Sequence, residues 1–304
     1  MYNGLINIYK EPGYTSFDVV AILRGILKQK KIGHTGTLDP QAEGTLLVCL
    51  GDATKLCDIL ENRDKEYQCK MLLGVITDTE DTTGKTLLES EVNCSQEEIK
   101  EAIQSFVGDI LQVPPMYSAL KKDGKKLYEL ARQGKEIERE ARPIKIYSIN
   151  IDSIELPYVT FTVKCGKGTY IRSLCRDIGE KLGCGACMEH LKRTAVSHFE
   201  VKDSLKLAKV EELAKAGQID DYILPLESVF AKNESILVKE ESSRIIDNGN
   251  PLRRDNIINE AELTIKNGTI YKVYNADKRF CAVYKYDSNK AKSFTSFKNK
   301  RNHC

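Results

Sequence analysis

The chain has almost no net charge to interpret: 46 Lys and Arg against 44 Asp and Glu leave a formal +2 over 304 residues. A global electrostatic preference therefore names no partner, and only local clustering can do so. Long apolar runs are also missing, none exceeding that from Leu46 to Leu50. The N-terminal MYNGLINIYK lacks a basic segment followed by a long apolar stretch. No signal peptide and no membrane-spanning helix are expected, which leads to the expectation of a cytoplasmic protein. Ten cysteines without an export signal should be reduced rather than form a disulfide framework. Cys184 and Cys187 are the one close pair; Cys165 and Cys175 supply no second pair, and the four histidines (34, 190, 198 and 304) are scattered. No metal site is expected from that spacing. The GKT at 84–86 lacks the glycine a phosphate loop needs at position 79, where Thr79 stands. No glycine-patterned dinucleotide loop and no nucleophile elbow occur either.

What is present is enough for a folded chain of about two domains, with 41% hydrophobic residues to fill a core. LINIY (5–9) alternates like a half-buried strand, and Thr15 or Ser16 can cap a helix over FDVVAILRGILKQ. LLVCL (46–50) reads as a buried strand, 53–60 as a short helix and 67–73 as another strand. TDTEDTTGK (77–85) is acidic and turn-rich, and Ser95 with Glu98 forms a capping box ahead of a helix. YVTFTVKC (158–165) is a strand, and TYIRSLCRDIGEKL (169–182) a helix with Arg172 and Arg176 one turn apart on one face. Ahead of that strand, about 115–145 is rich in Lys and Arg, including Lys121, Lys122, Lys125 and Lys126, interleaved with Tyr117 and Tyr128. That pattern resembles a nucleic-acid-facing edge. From 236 to 290 short apolar runs alternate with NG turns, as in a small separate β domain. The tail from 291 to 304 is basic and polar, and is expected to be disordered.

The densest chemistry lies in GHTGTLDPQAEGTL (33–46), a loop between a helix and a strand. An isolated Asp-Pro is ordinarily a turn. Here Gly33, Gly36 and Gly44 allow close approach to a ligand, and His34, Thr35 and Thr37 offer donors around Asp39. An aspartate is ionised at neutral pH and can act as a nucleophile without a separate activating base. A glycosidase would need a second carboxylate, for which Glu43 is the nearest candidate.

This loop, together with KEYQ (65–68), QVPPMYSALKKDGKKLYELAR (112–132), GTYIRSLCRDIGEKLG (168–183) and HLKRTAVSHF (190–199), resembles the bacterial TruB-type tRNA pseudouridine synthases over roughly residues 3 to 230. The resemblance implies an α+β fold: a mixed, largely antiparallel sheet flanked by helices, with a small C-terminal β domain resembling PUA. The implied division is a catalytic domain over 1–230, a PUA-like domain over 231–290 and the tail over 291–304. The implied activity is isomerisation of the T-loop uridine at tRNA position 55 to pseudouridine, with no metal and no cofactor. Asp39 would be the nucleophile and Arg172 its ionic partner. Tyr67 would stack on the flipped base, Tyr170 and Leu191 would complete its pocket, and His34 would contact the everted strand. Lys10 and Tyr117 would shape the site, and Lys121, Lys122, Lys125 and Lys126 would meet phosphates. In the family's Lys-Pro-x-Gly-x-Thr-Ser segment this chain reads KEPGYTS (10–16), with Glu11 in place of proline.

The partner so implied is tRNA, bound by its T-arm and T-loop; the protein would be a monomer with no obligatory protein partner and no membrane contact. Two rival activities differ in outcome. A tRNA-folding helper would keep its benefit without modifying the RNA, and an N-glycosylase would release free uracil.

Overall fold

A computed structural model describes residues 1–118, 120–122, 124–131, 133–135, 137–289 and 293–296. The side chains of Lys121, Lys122, Lys126, Tyr128 and 293–296 lie outside the described set.

Strand β1 (Gly4–Lys10) leads into helix α1 (Ser16–Ile26), then β2 (Ile32–His34) and β3 (Glu43–Leu50). Thr15 is the cap of α1, in a reciprocal capping box with Asp18. A 3₁₀ turn (Gly51–Leu56) and α2 (Cys57–Glu61) replace the single helix expected over 53–60. Then follow β4 (Lys65–Leu73), the hairpin β5 (Val75–Thr77) and β6 (Thr86–Glu89), α3 (Gln96–Gln104) and β7 (Gly108–Gln112). A short ribbon, β8 (Lys121–Lys122) and β9 (Lys125–Lys126), precedes α4 (Leu127–Ala131) in the basic segment. Next come β10 (Arg142–Glu155), β11 (Tyr158–Cys165), α5 (Ile171–Leu182), β12 (Ala186–Val196), β13 (Phe199–Glu200) and α6 (Leu207–Ala216).

The main sheet has nine strands, ordered β1-β3-β12-β4-β11-β10-β7, with β2 on β3 and β13 on β12. Its pairs are antiparallel except β3 with β12, where Lys192 lies against Glu43 and Arg193 against Gly44. The apolar run LLVCL is explained by burial on both faces. Leu46, Val48 and Leu50 pack with α1 and α6, whereas Leu47 and Cys49 pack with Phe199, Phe230 and Val283. Strand β4 buries Lys65, Tyr67, Cys69, Met71 and Leu73, one face of a strict alternation.

Past the main sheet, β14 (Ser235–Leu237), β15 (Ile270–Tyr274), β16 (Phe280–Asp287) and β17 (Ser293–Ser296) build a second, four-stranded sheet, with α7 (Ser243–Asp247) between β14 and β15 in sequence. It has its own core around Ile236, Leu252, Tyr271 and Tyr284. It is less separate than its sequence suggests, because Val283 joins Leu5, Leu47 and Phe230 in one cluster. Ser293–Ser296 pairs with β16 inside the stretch expected to be a disordered tail. Residues 291, 292 and 297–304 of that expectation lie outside the described residues.

Candidate active site

The loop between β2 and β3 is pinned from several directions, which fixes Asp39 without using its carboxylate. Leu38 and Ala42 on either side of it are buried in the main core with Tyr67 and Leu191. The Leu38 amide donates to Ser16 Oγ at 2.9 Å, and the Gly13 amide donates to the Pro40 carbonyl at 2.9 Å. Lys10, fully buried, donates from Nζ to the carbonyls of Pro40 (3.0 Å) and Glu11 (3.1 Å). KEPGYTS therefore works as a cradle for residues 38–40. Glu11 fits it by lending only its carbonyl inward, while its carboxylate pairs with Lys206 at 3.1 Å.

From the other side comes Arg193 of β12, 1% exposed. Its Nε donates to the Thr45 carbonyl at 2.7 Å, Nη2 to Gly36 at 3.2 Å and Nη1 to Thr37 at 3.4 Å. Sequence reasoning missed this residue. The signal was available: Arg193 stands two residues from Leu191, so a charged side chain falls on the apolar face of a strand.

The carboxylate itself is met by Arg172 in a two-pronged contact, Nε to Oδ2 at 2.9 Å and Nη2 to Oδ1 at 3.1 Å. Such a fork is the strong form of ion pair and fixes the plane of the carboxylate. Arg172 is buried in the first turn of α5, whereas the Asp39 side chain remains 37% exposed and open to a substrate. The guanidinium is itself held by the carbonyls of Tyr117 (2.9 Å) and Thr79 (3.2 Å). The expected donors differ: Thr35 gives its hydroxyl to the Leu47 carbonyl, and His34 accepts the Gly36 amide at Nδ1. Thr37 contributes its carbonyl to Arg193 rather than a donor to Asp39. Burial and the consumption of these groups by loop folding explain why Arg172 supplies the carboxylate's contacts.

The acidic 77–85 segment also gains a purpose. Ser173 donates to Glu80 Oε2 at 2.6 Å, and Arg176 pairs with Glu80 and, at 2.6 Å, with Asp177. Thus Arg176, which shares a helix face with Arg172, ties the helix to that loop instead of facing Asp39.

Tyr67 is buried on β4 beside Arg193 and within electrostatic reach of Asp39; burial pushes its phenol pKa up. Leu191 lies opposite Cys69 on the neighbouring strand, in the same apolar cluster as Tyr67. Tyr170 caps the start of α5, its amide and carbonyl both bonded to the Gln112 side chain, and burial raises its pKa also. His34 is partly buried near Arg193, and both effects push its pKa down, favouring the neutral ring. Burial lowers Lys10 to about 8 and likewise Lys65 to about 8. Glu43 is engaged by other partners: Tyr9 donates to it at 2.7 Å and His190 lies 3.4 Å away. The fold thus brings Lys10, His34, Asp39, Tyr67, Tyr170, Arg172 and Leu191 to one region. Lys125 is exposed at the ribbon turn. The side chains of Lys121, Lys122 and Lys126 lie outside the described residues. Among the described residues no group of three or more His, Cys, Asp or Glu could hold a metal ion.

A mixed sheet thus carries one partly open aspartate, fixed by a buried arginine and bordered by tyrosines, an arrangement suited to carboxylate-centred chemistry. Residues 24–171 match the TruB family pseudouridylate synthase N-terminal domain, and residues 172–231 match the tRNA pseudouridylate synthase B C-terminal domain. The chain is 49% identical over 296 residues to tRNA pseudouridine synthase B of Lachnoclostridium phytofermentans, covering 95% of this chain and 96% of the relative. It is 47% identical over 277 residues to the protein of the same name from Clostridium tetani, covering 91% and 93%. Among solved structures, a Cbf5-Nop10-Gar1 complex superposes with a TM-score of 0.74 at 29% identity, over 96% of this chain and 83% of that one. An H/ACA RNP bound to a substrate RNA containing 2'-deoxyuridine gives 0.72 at 26%, over 97% and 83%. The chain belongs to the TruB family of pseudouridylate synthases.

Proposed function

We propose that the protein isomerises a uridine of tRNA to pseudouridine, and that the uridine is the T-loop one at position 55. Its chief support is the forked Arg172–Asp39 pair in a chain of this family. An in-helix or stacked uridine cannot reach a carboxylate set in a loop, so the nucleotide is everted first, at a cost of a few kcal/mol. Stacking on an aromatic ring contributes roughly 1 to 3 kcal/mol and offsets much of that, the role assigned to Tyr67.

Asp39 then attacks the everted nucleotide, at ribose C1′ or base C6. The N1–C1′ bond breaks, the uracil turns within a pocket closed by Tyr170 and Leu191, and a C5–C1′ bond forms. The proton on C5 is lost while N1 gains one, and the carboxylate is released unchanged. Arg172 keeps Asp39 charged and oriented through this cycle. His34 contacts the everted strand, and Lys121, Lys122, Lys125 and Lys126 meet phosphates along the T-arm. The purified chain acts as a monomer on free tRNA, in the cytoplasm where that substrate is found. The described residues include no helix long and apolar enough to cross a membrane.

The test is a T-arm hairpin carrying tritium at C5 of its uridine. Wild type releases tritium and leaves the RNA mass unchanged apart from that exchange; Asp39→Asn binds the hairpin and releases none. Free uracil in the products, or an active Asn variant, would overturn the assignment. Sedimentation of the active sample should show one chain per particle, and a requirement for a second protein would refute the stand-alone reading.

A further inference from the structure

Phe17 is 72% exposed, although it lies in the first turn of a helix whose buried face supplies the core. Helix α1 buries Ser16, Val19, Val20 and Leu23, and Phe17 stands off that face. Full burial of such a ring is worth roughly 1.5 to 3 kcal/mol, a gain the free protein leaves unused. Single exposed apolar residues are ordinary on protein surfaces, so exposure alone says little. The position is what distinguishes this one. The adjoining Ser16 bonds the Leu38 backbone, next to Asp39, and the Phe17 ring meets His34 edge-on, with centroids 5.8 Å apart and planes at 83°. Among the phenylalanines whose side chains are described it alone is exposed, and its helix start is held by a capping box of Thr15 and Asp18. Tyr14, on the turn just before, is 40% exposed as well.

We infer that Phe17 is a substrate-contacting residue, its exposed ring stacking on an unpaired base of the RNA loop beside the everted uridine. This rests on the RNA-modifying reading above. The Phe17 side chain remains largely exposed beside His34, and an exposed aromatic ring is what an unstacked base takes as a platform. Phenylalanine has no donor or acceptor, so it adds affinity without reading the identity of the base. Its fixed place at the α1 cap means the platform exists before RNA arrives, and little ordering entropy is lost on binding.

The experiment measures hairpin binding by fluorescence anisotropy in the inactive Asp39→Asn chain, with wild-type turnover followed separately. Phe17→Ala and Phe17→Leu should both weaken binding by roughly 5- to 100-fold, whereas Phe17→Tyr should stay within about threefold. The loss should be similar whichever base occupies the stacked position. Leucine keeps the bulk against His34 but has no π face, so Leu binding as tightly as Phe would overturn the proposal in favour of mere support for His34. Unaltered binding by Phe17→Ala would overturn it as well. Failure of the wild type to form pseudouridine would instead strike the functional reading, leaving the Phe17 binding result to be judged by itself.

Discussion

Gly44 and Arg193 lie backbone to backbone where β3 runs parallel to β12: a Cβ at residue 44 would come 2.2 Å from the Arg193 carbonyl oxygen. Gly44 also adopts φ +107, a conformation that L side chains rarely take. The same two strands carry the Thr45 carbonyl and the guanidinium that binds it, so this contact sets how deeply the Asp39 loop is drawn into the sheet.

Gly44→Ala should accordingly separate β3 from β12. A loss of roughly 2 to 4 kcal/mol is expected, from backbone strain and from misaligned Arg193 hydrogen bonds. Urea unfolding of the two proteins measures it. A midpoint equal to that of the wild type would show that the strands adjust freely.

Arg172→Lys keeps one positive charge but loses the fork, and with it the second contact on Asp39 and the link to the Tyr117 carbonyl. The chemical step should slow by roughly 100-fold or more, a loss typical for a preorganised donor at a reacting centre. Single-turnover rates at saturating hairpin isolate that step. A change confined to hairpin affinity would mean that Arg172 only binds RNA.

Lys10 and Lys65 make stability depend on pH in a defined direction. Burial holds both at about 8 in the folded chain, below the ordinary lysine value, so the unfolded chain carries more protons from about pH 8 upward. Their contribution to folding stability therefore rises with pH over that window, by on the order of 1 kcal/mol each by pH 9.5. Below about 8 both states are protonated and the contribution is flat. Lys10→Met should shrink the rise between pH 7.5 and 9.5 in denaturation experiments, and an undiminished rise would contradict it. The amine that remains above pH 8 still has two N–H groups, enough for the carbonyls of Pro40 and Glu11.

Much of this was legible in the sequence because it depends on local pattern. Alternation announced β4 and β11, the unbroken LLVCL announced a buried strand, and Ser95 with Glu98 marked the start of α3; β1 was found as a strand, but it is buried on both faces rather than half-buried as its alternation suggested. The linked motifs also pointed to Asp39 and Arg172, which the fold joins across 133 residues. Long-range uses of polar groups were not legible. Nothing in TDTEDTTGK says that the Thr79 carbonyl and Glu80 would hold α5, and nothing in Thr35 says that its hydroxyl faces Leu47 rather than the carboxylate. Arg193 was half visible through its place on an apolar strand face, but its three carbonyl partners depend on pairing between distant strands. The second sheet could be read from its NG turns, whereas its shared packing through Val283 could not.

The parallel join of β3 and β12 has a consequence during synthesis. Translation delivers Asp39 early, yet the arginine that clasps its loop comes about 150 residues later, and Arg172 shortly before it. A ribosome-bound chain lacking β12 holds the aspartate on a loop pinned from one side only, by Lys10, Gly13 and Ser16, because non-local strand pairing must wait for its partner strand. The complete setting of Asp39 is thus acquired only once β12 has been made, about two thirds of the way along the chain, as a property of the closed sheet. Every finished molecule passes through a stage in which its carboxylate is present and its enzyme is not.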